Sequence, residues 1–220
     1  MPTVSYILTL LIAYLLGSIP TGFLVGKARG VDVRTAGSGN IGATNVFRIL
    51  GKTAGAFVLL ADAAKGWVAV YVVARFFASW GSVGTGSQTI EWFKLSAGVA
   101  AILGHNYTCW LRFKGGKGIA TSAGVLVGLV PAALLIVLVI WVVVFALSRY
   151  VSLASICAAF ALPFAVWLLG RSLTLIVVTG ALAALAIYKH KANIKRLIKG
   201  TENRIGLKKA TQPESPKATA

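Results

Sequence analysis

Seven stretches of this chain are apolar for long enough to cross, or nearly cross, the hydrocarbon layer of a bilayer, and that feature restricts the fold more than any other. About 20 apolar residues are needed for a helix to span the core. Stretches near 4–26, 53–79 and 94–112 meet that length and are well separated. Between 118 and 189 the apolar sequence is interrupted only at Pro131, at 148–150 and at 170–172. These breaks divide it into shorter spans near 117–130, 132–147, 151–169 and 173–189, the first two at the short end of the usable range. Backbone polar groups in lipid must be satisfied within the segment, so each span is read as a helix. The expected fold class is all-α, a polytopic membrane helix bundle of seven transmembrane helices, with six the rival count because 117–130 is short.

Composition agrees, with 57% hydrophobic and 12% charged residues and a mean hydropathy of +0.82, far outside soluble domains. No polar stretch before the C-terminal tail is longer than a loop, which points to one integral membrane domain over 1–207. Residues 208–220 mix Pro, Ser, Thr and charge without apolar periodicity and are expected to be a disordered tail. The N-terminal stretch has no basic region ahead of its apolar run and no cleavage pattern, so it is expected to stay as the first span. Cys109 and Cys157 lack metal-ligand or CxxC spacing and are expected to be free thiols.

Lys and Arg number 22 against 5 acidic residues, a balance that suits nucleic acid, anionic lipid or a phosphorylated substrate. Position separates these. Cytoplasmic loops are enriched in Lys and Arg. With the N-terminus outside, one face collects Lys27, Arg29, Arg34, Arg48, Lys52, Arg112, Lys114, Lys117, Arg149 and everything from Lys189 onward. The other keeps little beyond Arg75, Lys94 and Arg171. The C-terminus is therefore expected in the cytoplasm, and three unusual polar segments fall on that same face.

The first segment is GSGNIGATNVFR, 37–48. Its GxGxxG spacing signals a dinucleotide fold only between a strand and a helix of a βαβ unit, and here a membrane span and a polar linker precede it. The underlying physics still applies, because glycines such as Gly39 let the backbone approach a ligand and successive N–H groups can cradle an anion. Ser38, Asn40, Thr44, Asn45 and Arg48 add side-chain donors. The second segment, GHNYTCWLRFKGGKGIATS at 104–122, holds Lys114, Gly115, Gly116, Lys117 and Gly118 ahead of an apolar helix. It is not a Walker A loop, since Leu111 stands where the first Gly belongs and Gly118 where Ser or Thr belongs. A helix N-terminus beside lysines nonetheless favours an anion. The third, YKHKANIKRLIKGTENRIG at 188–206, spaces His190, Asn193 and Leu197 to share one helix face beyond the last span. A basic helix on anionic lipid accounts for its lysines but not for Asn193 or for Glu202 beside Asn203 and Arg204.

Asp62 and Lys65 form an i, i+3 pair inside the second span, where ionisable residues face a bundle interior or a wet cavity. They are read as a structural pair and His105 as a satisfied interfacial histidine, while Trp92 and Trp110 are read as interface anchors.

Taken together and in order, the three blocks resemble the signature motifs of the bacterial acyl-phosphate-dependent glycerol-3-phosphate acyltransferases, over essentially 1–207. The second block departs at Thr108, Cys109 and Trp110, where the family often has Pro and small apolar residues, but its glycine-lysine loop is intact. The resemblance implies transfer of a fatty acyl group from acyl phosphate to the sn-1 hydroxyl of glycerol 3-phosphate, giving lysophosphatidate and phosphate in the first acylation of phospholipid synthesis. It implies no metal, no cofactor and no nucleic acid. Its partners would be the two substrates, membrane lipid and an upstream enzyme that hands over acyl phosphate. The site would lie on the cytoplasmic face of a bacterial inner membrane. Ser38, Arg48 and one or both of Lys114 and Lys117 would hold phosphate, while His190 and Asn193 orient the acceptor, these two and Ser38 being the catalytic candidates. Glu202 would pair with Arg204 or a neighbouring basic residue to hold the third block in place.

The residues themselves disfavour other acyltransferase chemistry. Neither histidine has an Asp four residues away, and no GxSxG elbow occurs, so direct transfer is expected, with the donor phosphate as a candidate base. A membrane carrier for a phosphorylated metabolite is the alternative, disfavoured because no internal repeat is visible and the polar motifs cluster at one edge. A lipid-recruiting scaffold would explain the charge but not the glycine- and amide-bearing blocks.

Overall fold

The computed structural model describes residues 2–80 and 87–206, so the expectation for the 208–220 tail lies outside the described residues. Those described form helices and connecting turns, with no strand among them. In chain order the helices are α1 (Pro2–Ser18), α2 (Thr21–Ala28), α3 (Ala43–Leu50), α4 (Lys52–Val68), α5 (Ala74–Trp80), α6 (Ser87–Asn106), α7 (Ile119–Leu129), α8 (Pro131–Ser148), α9 (Val151–Leu168), α10 (Leu173–Lys189) and α11 (Lys191–Ile198). Four units are long and apolar enough to cross a membrane, namely Thr3–Ala28, Lys52–Trp80, Pro131–Ser148 and Val151–Leu168. The bent pair α10 and α11 makes five if it is counted as one span.

Large apolar side chains face outward, as with Leu60, Leu135, Leu147 and Phe160, while the interior of the first half is built from Ala13, Ala69, Ala74, Ala97 and Ala101 around Phe93. That inversion suits helices in lipid, where small residues let backbones approach closely. Two crossings show it. On α1 and α6, a Cβ on Gly17 would lie 2.1 Å from the Ala101 carbonyl oxygen, and one on Gly104 would lie 2.2 Å from that of Tyr14. The crossing of α4 and α7 repeats the device, with Gly66 against Thr121 and Gly124 against Ala63. A second apolar cluster joins the end of α7 to α8 and α9 through Leu126, Val130, Val137, Leu162 and Val166.

Three of the expected spans differ in detail. The 4–26 span is broken at Ile19 and Pro20, where proline cannot continue the ladder, and 53–79 contains a π-turn at Ala69–Val73. The 94–112 segment starts earlier and ends at Asn106. Beyond it the chain turns because Thr108 Oγ1 donates to the Ser18 carbonyl at 2.6 Å and the Gly115 and Gly116 amides fold back onto α6. The end of the first block is the helix α3, whose apolar face packs Val46 against Val33, Ile41 and Val58. In the third block Asn193 and Leu197 lie on α11 beyond the last span, as expected, while His190 sits in the joint where α10 and α11 meet at 57°.

Candidate active site

The loop of the first block is organised from within. Asn45 is buried, with its Oδ1 accepting the Ser38 amide at 2.8 Å and its Nδ2 donating to the carbonyls of Val33, Ala36 and Asn40. Gly37 has φ +61° and a Cβ there would strike Asn45 Oδ1 at 2.3 Å, so only glycine fits. Asn40 Oδ1 accepts the Gly42 amide at 2.8 Å in the turn that leads into α3. Ahead of this loop Asp32 pairs with Arg34 at 2.7 Å, a guanidinium contact that lowers the carboxyl to about 2.

In the second block the His105 carbonyl accepts the Gly116 amide at 3.0 Å and the Asn106 carbonyl accepts that of Gly115 at 3.2 Å. A Cβ on Gly115 would lie 2.1 Å from the His105 carbonyl oxygen, so these glycines serve close packing onto α6. The return aims Lys117 inward and leaves Lys114 exposed. Lys189 crosses from α10 to donate to the same Asn106 carbonyl at 2.9 Å, over the ring of Tyr107.

The third block supplies a carboxylate hub. Glu202 accepts Ser152 Oγ at 2.9 Å and Asn193 Nδ2 at 2.7 Å on one oxygen, and Arg196 Nε at 2.6 Å on the other. Asn193 Oδ1 in turn accepts Lys117 Nζ at 2.5 Å. His190 Nδ1 lies 2.8 Å from the Ala186 carbonyl, which can only accept, so Nδ1 carries the proton and Nε2 is left as an acceptor.

All three blocks meet at one cavity of about 390 Å³ between α3, α4, α6 and α7 on one side and α8, α9 and α10 on the other. Its polar end is lined by Ser38, Asn40, Thr44, Asn45, Arg48, Asp62, His105, Lys117, Gly118, Ser152, His190, Asn193, Arg196 and Glu202. Away from that end the walls are apolar, with Leu95, Val99, Leu129, Leu134, Val137, Leu138, Trp141 and Leu162.

Lys114, Gly39, Gly115, Gly116, Lys65 and Arg204 do not line it. Arg204 stacks on Tyr150 at 4.8 Å because the Ile205 amide is tied to the Arg149 carbonyl, and Arg196 takes its expected place at Glu202. Asn45, expected as a ligand, has its side chain fully engaged by its own loop. Sequence reading missed Arg196 and Ser152. Arg196 lies three residues after Asn193 and so shares its helix face, a signal that was present. Ser152 had none beyond its place at the 148–150 break.

Electrostatics favour an anion here. Lys117 is lowered to about 8, first by burial and then by Arg196 and Arg48, with Glu202 opposing. His190 is lowered to about 4 by burial and by Lys117, so it is neutral at pH 7. Arg48, Lys117 and Arg196 outnumber the carboxylates of Asp62 and Glu202, which leaves net positive charge at a half-dry site, where charge-assisted hydrogen bonds to phosphate oxygens are strong.

The chain is similar to known proteins over most of its length. The profile of the glycerol-3-phosphate acyltransferase family matches residues 7–200. A glycerol-3-phosphate acyltransferase of Geotalea daltonii is 50% identical over 199 residues, covering 90% of this chain and 97% of the relative. That of Desulforudis audaxviator is 46% identical over 210 residues, covering 95% and 100%. A crystal structure of PlsY (YgiH), an integral membrane glycerol 3-phosphate acyltransferase in its glycerol 3-phosphate form, is 38% identical with a TM-score of 0.79, covering 92% of this chain and 96% of that one. Its lysophosphatidic acid form superposes with a TM-score of 0.78.

Proposed function

Because this chain belongs to the glycerol-3-phosphate acyltransferase family and acylates glycerol 3-phosphate in a membrane, we propose that its acyl donor is acyl phosphate and that both substrates meet in the cavity between the two helix groups. The observation that carries this is the cavity itself, cationic at one end and apolar along the rest.

At the polar end Arg48, Lys117 and Arg196 hold phosphate oxygens, with Ser38 and the first turn of α3 adding donors. Asn193 and Glu202 hold Lys117 and Arg196 in register. His190 Nε2 accepts a hydrogen bond from the acceptor hydroxyl and orients it. With its proton affinity held down to about 4, His190 is a poor general base at neutral pH. The hydroxyl oxygen attacks the acyl carbon, the carbon–oxygen bond to phosphate breaks, and the hydroxyl proton leaves on the departing phosphate. The products are lysophosphatidate and inorganic phosphate, the opening acylation of phospholipid synthesis. The donor would come by handover from an acyl-phosphate-forming enzyme.

The apolar part suits the acyl chain. From Ser152 at Glu202 to Leu162, α9 lines the cavity for ten residues, about 15 Å at the helical rise. That is half of the roughly 30 Å hydrocarbon core, the depth of one leaflet. Leu162→Trp should therefore cut kcat/KM for the longest donor about tenfold or more and move the preference to shorter chains, since one methylene in an apolar pocket is worth about that much. Unchanged relative rates across a series of acyl phosphates would remove Leu162 from the floor.

Seven crossings with the C-terminus in the cytoplasm, and a site on the cytoplasmic face of a bacterial inner membrane, fit the charge asymmetry and the gathering of all three blocks at one end of the bundle. The deciding assay offers labelled glycerol 3-phosphate to the purified protein with acyl phosphate or acyl-CoA in turn, and then to sealed vesicles of each sidedness. Transfer from acyl phosphate alone, on the cytoplasmic side, is the expected result. Transfer from acyl-CoA alone would overturn the donor assignment, and uptake of glycerol 3-phosphate without acylation would indicate a carrier.

A further inference from the structure

Three ionisable side chains are buried among the spans with no part in the chemistry above. Asp62 and Lys65 on α4 and His105 on α6 are 2, 5 and 5% exposed. Ionisable groups at such depth are expensive, and an ion pair there is weak as a source of stability, because apolar side chains of the same volume often serve as well. Their presence calls for another explanation, and the contacts supply one.

Lys65 Nζ lies 3.0 Å from Asp62 Oδ1 and donates at 3.0 Å to the Ile19 carbonyl, which lies at the proline break between α1 and α2. The same Asp62 oxygen lies 3.7 Å from His105 Nδ1. The far edge of the imidazole rests on Gly116, where a Cβ would lie 2.1 Å from Nε2. The His105 carbonyl holds the Gly116 amide at 3.0 Å, and the next residue is Lys117.

We propose that Asp62, Lys65 and His105 form a buried brace that sets the position of Lys117, so that binding of the substrate phosphate depends on an ion pair buried on α4. Asp62 faces the ring across 3.7 Å, the ring supports the glycine loop, and the loop aims the ammonium. Lys65 neutralises Asp62 and anchors the assembly to the end of α1. These three are positioning residues, and the proposal rests on Lys117 contacting phosphate.

The test is the double variant Asp62→Asn/Lys65→Met, which removes both charges together and so leaves neither buried alone. Thermal melting in detergent should stay within a few degrees of the parent protein, while KM for glycerol 3-phosphate rises about tenfold and kcat changes less than about threefold. Adding Lys117→Met should raise KM little beyond Lys117→Met alone, because the two changes act on one contact. His105→Gln, which leaves no unpaired charge behind on its own helix, should show the same split and decides the matter if the double variant does not fold. Parental KM in a folded variant overturns the brace. So does a fall in kcat with KM unmoved, which would make His105 act on the reacting atoms. Parental KM in Lys117→Met would overturn the phosphate assignment itself, and the brace with it.

Discussion

Lys117→Met is expected to lower kcat/KM for glycerol 3-phosphate by about a hundredfold, mostly through KM. A hydrogen bond to a charged group contributes about 1.5–3 kcal/mol, which is roughly 10- to 150-fold. Lys117 also donates to Asn193, so its loss frees an amide that Glu202 alone then holds. Lys117→Arg separates charge from shape. With Lys117 lowered to about 8 in the free protein, the ammonium is present below that pH and lost above it. The parent protein should show kcat/KM falling as pH rises through about 8, and the arginine variant, protonated throughout, should not. A methionine variant with parental kinetics would take Lys117 out of the phosphate site.

Why Lys117 and not Lys114 could not be read from the chain is instructive. Both flank the same two glycines, and a loop that cradles phosphate has the same composition as one that packs tightly on a helix. Only the distance from Gly115 and Gly116 to His105 distinguishes them, and that contact depends on where α6 ends. The end of α6 depends on Thr108 reaching Ser18, ninety residues earlier. Asn45 is ambiguous in sequence for a related reason, since an amide in a polar loop can serve a ligand or its own backbone, and here it lines the cavity while making four hydrogen bonds within its own loop.

What survived best is what depends on periodicity and on long-range charge. Apolar length placed 53–79, 132–147, 151–169 and 173–189 within a few residues of α4 with α5, α8, α9 and α10, because lipid tolerates little but helix. The positive face gathered Ser38, Arg48, Lys117, His190 and Asn193, and the structure lines one cavity with all five. Breaks inside rods were less legible. The π-turn at Ala69–Val73 has no proline or glycine to announce it, and the bend at His190 comes from Lys189 and Asn193 each being tied to the opposite helix group.

Glu202→Ala should produce the other large effect, and of a different kind, because Glu202 ties α9 to α11 rather than to a substrate. Its removal leaves Arg196 without a counter-charge and Asn193 and Ser152 without an acceptor. Breaking a buried pair costs about 3–5 kcal/mol, and with the Arg196 side chain 32% exposed the lower figure applies. A loss of about 3 kcal/mol in a chain of this size lowers the melting temperature by roughly 6–12 °C. Turnover should fall at least about a hundredfold in the same variant, since Lys117 loses its register with Asn193. The carboxyl sits below its ordinary value of 4.5, with burial opposing and the bonds from Asn193, Arg196 and Ser152 lowering it. Its contribution to stability is therefore complete above the unfolded value and lost as pH falls through the folded one. The parent protein should melt progressively earlier below about pH 4.5, and the alanine variant should show less of that acid dependence. Glu202→Gln keeps an acceptor for Ser152 and Asn193 but turns an amide toward Arg196, so stability and turnover should fall together and by less. If it melted like the parent protein and yet made no product, the carboxylate would belong to the reacting groups and the substrate would have to reach past Asn193 to meet it.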